Sequence, residues 1–256
     1  MIALETRNLY KSFGSLAVTQ DVSLAFETGS RSAIIGPNGA GKTTYFNLLA
    51  GNLRPDSGAV LLAGRDVTRL DVTRRARIGI ARSFQRNNLF PDFSVRDTLA
   101  LACALRTRAT REFWRPMSRR AALYAEADEI AATVGLSEAL GTTVRHLSYG
   151  SQRQLEVALA LACRPQVLLL DEPTSGMSPE ETARMRDLIV AIPRTLTVIV
   201  IEHDMDVVLD FADRIAVLDY GRVLEQGTPA EIRSSQIVRE RYLGEPASDS
   251  GAGASP

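Results

Sequence analysis

The octet Gly36-Pro37-Asn38-Gly39-Ala40-Gly41-Lys42-Thr43 carries the densest chemical signal in the sequence. It follows a short apolar run, 31–35, and opens a helical one that Gly51 and Pro55 stop. Glycines at this spacing let backbone N–H groups turn inward around phosphate oxygens, and the helix N-terminus adds partial positive charge. Lys42 is placed to reach the β- and γ-phosphates, and the Thr43 hydroxyl to ligate Mg²⁺, with Thr44 beside it. The chain has only two lysines, Lys11 and Lys42, so a lysine at this position stands out. A second motif, Val167-Leu168-Leu169-Leu170-Asp171-Glu172, is an apolar strand ending in two acids. Carboxylates at the C-terminal edge of a buried strand face the crevice where open α/β sheets bind ligands. Asp171 can hold the Mg²⁺ hydration shell, and Glu172 can polarise a water for in-line attack on a γ-phosphate. Together the two motifs predict an ATP- and Mg²⁺-dependent phosphoanhydride hydrolase.

The elements that must position these residues follow from periodicity. Residues 2–9, 22–26, 31–35, 59–62 and 80–84 read as strands, and 42–50 as the helix behind the phosphate loop. Texture changes near residue 94, where Ser94 can cap a helix running through Leu105. The Ala-rich stretch 119–134 and the stretch 151–163 read as two more helices. Strand 167–170, helix 178–191, strand 197–202, helix 205–211 and strand 214–218 then restore β/α alternation. This predicts one α/β nucleotide-binding core interrupted by a helical insert at about 90–160, with no internal repeat. The small, polar end 245–256 is expected to be disordered.

Thirty basic and thirty acidic residues cancel, so no electrostatic footprint points to a nucleic acid partner. Cys103 and Cys163 sit in apolar helical contexts without a CxxC or Cys/His cluster. They are expected to be buried free thiols in a reducing cytoplasm. The N-terminus lacks a basic region followed by a long apolar run, and the apolar stretch 196–201 is only strand-length. Any membrane contact is therefore expected through partner proteins.

The segment Leu147-Ser148-Tyr149-Gly150-Ser151-Gln152 resembles the LSGGQ signature of ABC transporter ATPases, and it precedes 167–172 at that family's spacing. With the phosphate loop, Gln85 and His203 (in IEHD), the family's motif set is present in order across about 2–244. The flanking RSFQRNNLFPDFSVRDTLALA, FWRP, GMSPEET and YLGE segments are similar to the branched-chain amino acid importer ATPases. The resemblance implies a P-loop NTPase core of ABC type, with an antiparallel β subdomain and a helical insert carrying the signature. It implies that Phe13 stacks on adenine with Val18 nearby, that Gln85 reaches Mg²⁺ and the attacking water, and that His203 contacts the γ-phosphate. Ser148 and Gly150 would offer a hydroxyl and an N–H to the γ-phosphate held by a second, identical or related, ATPase subunit arranged head to tail.

Transmembrane permease subunits, a periplasmic solute-binding protein acting indirectly, and a place on the cytoplasmic face of a bacterial inner membrane are implied in the same way. The permease is expected to grip the groove beside Gln85, where Leu89, Phe90 and Phe93 supply apolar anchors. Four positions depart from the family pattern. Tyr149 replaces a glycine, Ser151 a glutamine, Ser178 an aspartate and Leu159 an arginine. The Tyr149 variant fits the branched-chain subgroup.

Overall fold

The computed structural model describes residues 1–83, 89–107 and 121–240. From the N-terminus these form β1 (Ile2–Phe13), β2 (Leu16–Val22), β3 (Ala25–Glu27), β4 (Arg31–Ile35), α1 (Lys42–Ala50), β5 (Ser57–Leu62) and β6 (Arg65–Asp66). Next come α2 (Val72–Arg77), β7 (Ile80–Arg82), α3 (Val95–Arg106), α4 (Ala121–Thr133), α5 (Tyr149–Ala162) and β8 (Val167–Asp171). The chain continues through α6 (Pro179–Ala191), β9 (Thr197–Ile201), α7 (Met205–Phe211), β10 (Arg214–Asp219), β11 (Arg222–Gly227), α8 (Pro229–Ser234) and α9 (Gln236–Val238). The expected disordered segment 245–256, the FWRP and YLGE segments and Gln85 lie outside the described residues.

Strands β4, β8 and β9 are buried at every position, so both faces of the sheet they share must be covered. That sheet runs β11-β10-β4-β9-β8-β7, with β10 to β7 parallel and β11 antiparallel at its edge. Because side chains alternate along a strand, each of these runs feeds two cores. Leu168, Leu170, Val198, Val200 and Ile35 enter one cluster with Leu155 and Val157 of α5, Leu188 of α6 and Val208 of α7. Leu169, Ile199, Ile201 and Ile34 enter the other, with Phe46 and Leu49 of α1 and Leu4, Phe26 and Val60 of an antiparallel layer. That layer is the sheet β2-β1-β5-β6, with β3 also paired to β1. The expected α/β core with an antiparallel subdomain is therefore present, and α3, α4 and α5 form a helical layer between β7 and β8 in the chain.

Several boundaries differ from the expectations. The strand read over 22–26 is two strands, broken at Ser23 and Leu24, where β1 changes partners from β2 to β3. Thr6 Oγ1 and Ser23 Oγ take the displaced amides, accepting from Leu24 N and Asn8 N. The signature helix begins at Tyr149, two residues ahead of the expected start, because Ser148 caps it by accepting from Ser151 N. Cys103 is buried as expected, but Cys163 is exposed, since it ends α5 beyond the last apolar contact. No helix among the described residues is long and apolar enough to cross a membrane.

Helix α2 has no apolar stripe and was not legible as an element. Its anchor is Arg75, fully buried, whose guanidinium closes the C-terminal end of α1. It donates to Leu48 O (2.6 Å), Leu49 O (2.7 Å), Thr68 O (2.9 Å) and Leu70 O (3.1 Å). Burial pushes its pKa down to about 10, which leaves it charged at neutral pH. Removing the donor strands those buried carbonyls. Arg75→Met is expected to lose about 3 kcal/mol of folding stability, measured as a fall in the urea midpoint at unchanged slope.

Candidate functional site

The phosphate loop joins the end of β4 to α1, and its shape is imposed by close backbone neighbours. A Cβ on Gly36 would lie 2.2 Å from Leu218 O, and one on Gly41 2.5 Å from Val18 O, so neither position has room for a side chain. Gly41 is also the N-cap of α1, at φ 96, with no side chain to satisfy the helix's first amides. The first-turn N–H groups of Lys42, Thr43 and Thr44 have no carbonyl partner within the helix. They are left for an anion. Gly221 N donates to Ala40 O (3.0 Å), so the β10–β11 turn braces the loop from behind.

Lys42 is only 6% exposed. Its Nζ donates to Gly36 O (2.6 Å) and Pro37 O (3.1 Å), which holds the side chain folded over the loop. Burial pulls its pKa below the usual lysine value, opposed by the carboxylates of Glu172 and Asp171. The two sequence motifs therefore converge on one electrostatic site. Glu172 follows β8 in a left-handed conformation, φ 46, which a residue with a side chain adopts only at a cost. Its amide donates to Ile201 O (2.9 Å), which fixes the turn against the end of β9.

Asp171 points into the sheet edge with its side chain 1% exposed. One oxygen is held by Arg82 of β7, whose other arm donates to Asn47 Oδ1 of α1 (2.6 Å). The second oxygen, Oδ1, is buried and has no protein partner. An unpartnered buried carboxylate oxygen beside a phosphate loop suits a hydrated divalent cation. Among the described residues no group of three His, Cys, Asp or Glu could hold a metal alone. A single carboxylate plus substrate phosphates is the usual Mg²⁺ arrangement. The residues present thus fit a nucleoside triphosphate with Mg²⁺.

Phe13 ends β1 with its ring 49% exposed, and Lys11 Nζ lies 5.6 Å from its centroid. It is a surface ring and not part of the core. Val18 is half-buried, with its carbonyl against Gly41 and Gly221. His203, after β9, has an exposed ring with Nδ1 3.7 Å from Glu202 Oε2. Ser148 and Gly150 lie at the start of α5 and bond to Ser151 and to Glu181 of α6, with no hydrogen bond to the phosphate loop among the described residues. Gly150 N donates to Glu181 Oε1 (3.0 Å), and a Cβ on Gly150 would lie 2.5 Å from that oxygen. Ser178, where the family often has aspartate, caps α6 in a capping box with Glu181.

Arg82, Glu181 and Glu202 were not singled out from sequence. The contacts that place them at the site span 28 to 89 residues, and only Glu181 carries a local mark, its capping box with Ser178. Arg82 and Asp171 are charges buried together, so loss of one partner strands the other. Arg82→Met is expected to cost about 3 kcal/mol. Adding Asp171→Leu should recover most of that loss, because no lone charge remains. Urea midpoints of the single and double variants test this.

Comparison with known proteins agrees with the geometry. The ABC transporter family model matches residues 19–175. The high-affinity branched-chain amino acid transport ATP-binding protein LivG of Salmonella typhimurium is 38% identical over 251 residues, spanning 94% of this chain and 98% of that protein. The crystal structure of the ADP conformation of MJ1267, an ATP-binding cassette of an ABC transporter, superposes with a TM-score of 0.83 at 27% identity, over 96% of this chain and all of that one. The dimeric, post-hydrolysis structure of the cassette MJ0796 bound to ADP and Pi has a TM-score of 0.73 at 25% identity, over 88% of this chain and 98% of that one. ABC ATPase domains generally bind ATP and Mg²⁺. With the family model covering more than half its length, this chain belongs to the ABC transporter ATP-binding family and is an ATP-hydrolysing subunit closely similar to the LivG-type ATPases.

Proposed function

We propose that this chain powers an ABC importer for branched-chain amino acids, working at the cytoplasmic face of a bacterial inner membrane. The observation that carries the reading is the convergence of Lys42, Asp171 and Glu172 on one site in a chain 38% identical to LivG along nearly its whole length. Residues 2–244 act as one cassette, with the insert at about 90–160 carrying the signature. Two cassettes, identical or related, meet head to tail. Each signature then faces the other's phosphate loop, and permease subunits transmit the motion to a periplasmic solute-binding protein's cargo.

The chain's own residues supply most of the chemistry. Amides of the loop from Gly36 to Thr44, with Lys42, bind and orient the phosphates, while Phe13 offers an exposed face to the base with Val18 nearby. Thr43, Asp171 and Gln85 would hold the cation, which would supply positive charge to offset that of the phosphates. Glu172 accepts a proton of the attacking water and aims its oxygen at the γ-phosphorus. The bond to the β-phosphate oxygen breaks, and ADP and phosphate leave. His203 contacts the γ-phosphate from the end of β9. From the second subunit, Ser148 and Gly150 close the site with a hydroxyl and a helix N-terminal amide.

Phe90 and Phe93 support the permease contact. Both are exposed, at 52% and 43%, and they stack with centroids 5.3 Å apart, whereas Leu89 packs against the main core. Exposed aromatic anchors of this kind dominate many interfaces. Loss of the docking pair Phe90→Ser with Phe93→Ser is expected to leave folding and ATP binding intact. It should abolish co-purification with the permease subunits and leucine uptake in reconstituted vesicles. Normal assembly by this variant would move the docking site elsewhere.

Glu172→Gln is expected to lower steady-state hydrolysis by about 100-fold or more while ATP affinity is retained, since the phosphate cradle stays intact. It should also accumulate an ATP-bound pair on size-exclusion chromatography. Near-normal turnover would remove Glu172 from the catalytic role.

A further inference from the structure

The tyrosine at position 149 takes a place that a glycine fills in the signature it resembles, and the structure gives its side chain specific work. Its hydroxyl donates to Ser175 O (3.1 Å), in the turn that follows Glu172. The same oxygen accepts from Arg153 Nε (3.0 Å) and Nη2 (2.8 Å). Arg153 lies with its guanidinium carbon 5.2 Å from the Tyr149 ring centroid, and its Nη1 donates to Glu156 Oε2 (2.9 Å). Glu156 is almost fully buried, so Arg153 is anchored and the Tyr149 rotamer is set.

The preceding residue of the turn is held from the other side. Thr174 donates twice to Glu202 Oε1, from its amide (3.0 Å) and its hydroxyl (2.6 Å). Glu202 has no exposed surface, and its other oxygen accepts from His203 N (3.3 Å). Ser175 N in turn donates to Glu172 O (3.2 Å), so the turn also grips the glutamate itself. Two sets of oriented polar contacts, joined by the Thr174–Ser175 peptide bond, therefore lead from Tyr149 at the start of α5 through the turn and Glu202 to the His203 backbone. A glycine at 149 would break them at the first step.

We propose that Tyr149 and Glu202 are positioning residues, the two ends of a polar strut tying the signature helix to the Glu172 turn and the His203 backbone. The inference rests on the head-to-tail reading above for its consequence. When the start of α5 engages the second subunit's nucleotide, its displacement is passed to this subunit's own Glu172 and His203. Exposed Tyr149 contributes modestly to folding; one such hydrogen bond is worth about 1 kcal/mol, a factor of about five in an equilibrium. Its value lies in alignment between two sites.

The test uses the full-length chain, and its first arm does not depend on pairing. In hydrogen–deuterium exchange, Tyr149→Phe should raise amide exchange about fivefold both across 174–177 and at 203–204. Glu202→Gln keeps one acceptor for Thr174 but loses the one for His203 N, and should raise exchange at 203–204. If the change from Tyr149→Phe stays within 148–153, the strut does not exist. The second arm adds Tyr149→Phe to the Glu172→Gln chain and follows ATP-driven pairing by sedimentation. The half-point should rise about fivefold, with single-chain ATP affinity unchanged. The Tyr149→Phe, Glu202→Gln double variant should do no worse than either single. Multiplying effects, or an unchanged half-point, would overturn the proposal. If the Glu172→Gln chain fails to pair with itself, it is the self-pairing reading that fails, and the exchange arm still decides the strut.

Discussion

Lys42 carries a positive charge into a nearly closed site, and the surrounding structure is arranged to offset that burial. Two carbonyls of its own loop accept from Nζ, and the carboxylates of Asp171 and Glu172 oppose the desolvation that pulls its pKa down. Those carboxylates are themselves constrained. Asp171 shares a buried pair with Arg82, and Glu172 is held in a left-handed turn by the end of β9. The site is a small charge-balanced cluster in which each member is fixed by a different strand or helix. Such a cluster is preorganised for a polyanion with a divalent cation, because little has to move when they arrive.

The scaffold serves that balance. Alternating burial along β4, β8 and β9 divides their side chains between two cores, one built with α1 and the antiparallel sheet, the other with α5, α6 and α7. The phosphate loop is stiff because Gly36 and Gly41 press against backbone from β10 and β2, with no room for a Cβ. Arg75 then closes the far end of α1 on four carbonyls. Buried guanidinium groups recur in this role. Arg31 ties β4 to the C-terminal end of α6 through the carbonyls of Ile189, Val190 and Ile192. In a chain with two lysines, arginine does nearly all the buried cationic work, and its planar fork of donors suits several carbonyls at once.

The signature region is built on a different logic. Ser148, Gly150 and Tyr149 are held by α6 and by the turn after Glu172, while the phosphate loop is braced by β10, β11 and β2. Glu181 fills the start of α5 with negative charge, which a helix N-terminus favours. The signature region and the phosphate loop thus lie on separately supported parts of the same chain.

The sequence by itself determined the family's chemistry, ATP hydrolysis, and the place of several core elements. The phosphate loop, Asp171 and Glu172 are contiguous motifs whose meaning depends on local spacing, and β4, α1 and α7 fell where periodicity placed them. Elements whose reason to exist is a distant partner were not legible. Helix α2 exists because Arg75 reaches α1, β3 because β1 switches partners at Ser23, and β11 because it closes the edge of the sheet beside β10. Burial was misjudged at Cys163 because an apolar sequence context does not say which residues of a helix end face solvent. Only the tertiary structure decided that Arg82 pairs with Asp171, that Glu202 holds Thr174, and that Tyr149 reaches Ser175. Those contacts join residues 26 to 89 positions apart. A buried charge or a hydroxyl at such a distance leaves no local pattern, since its partner is chosen by how the strands and helices pack.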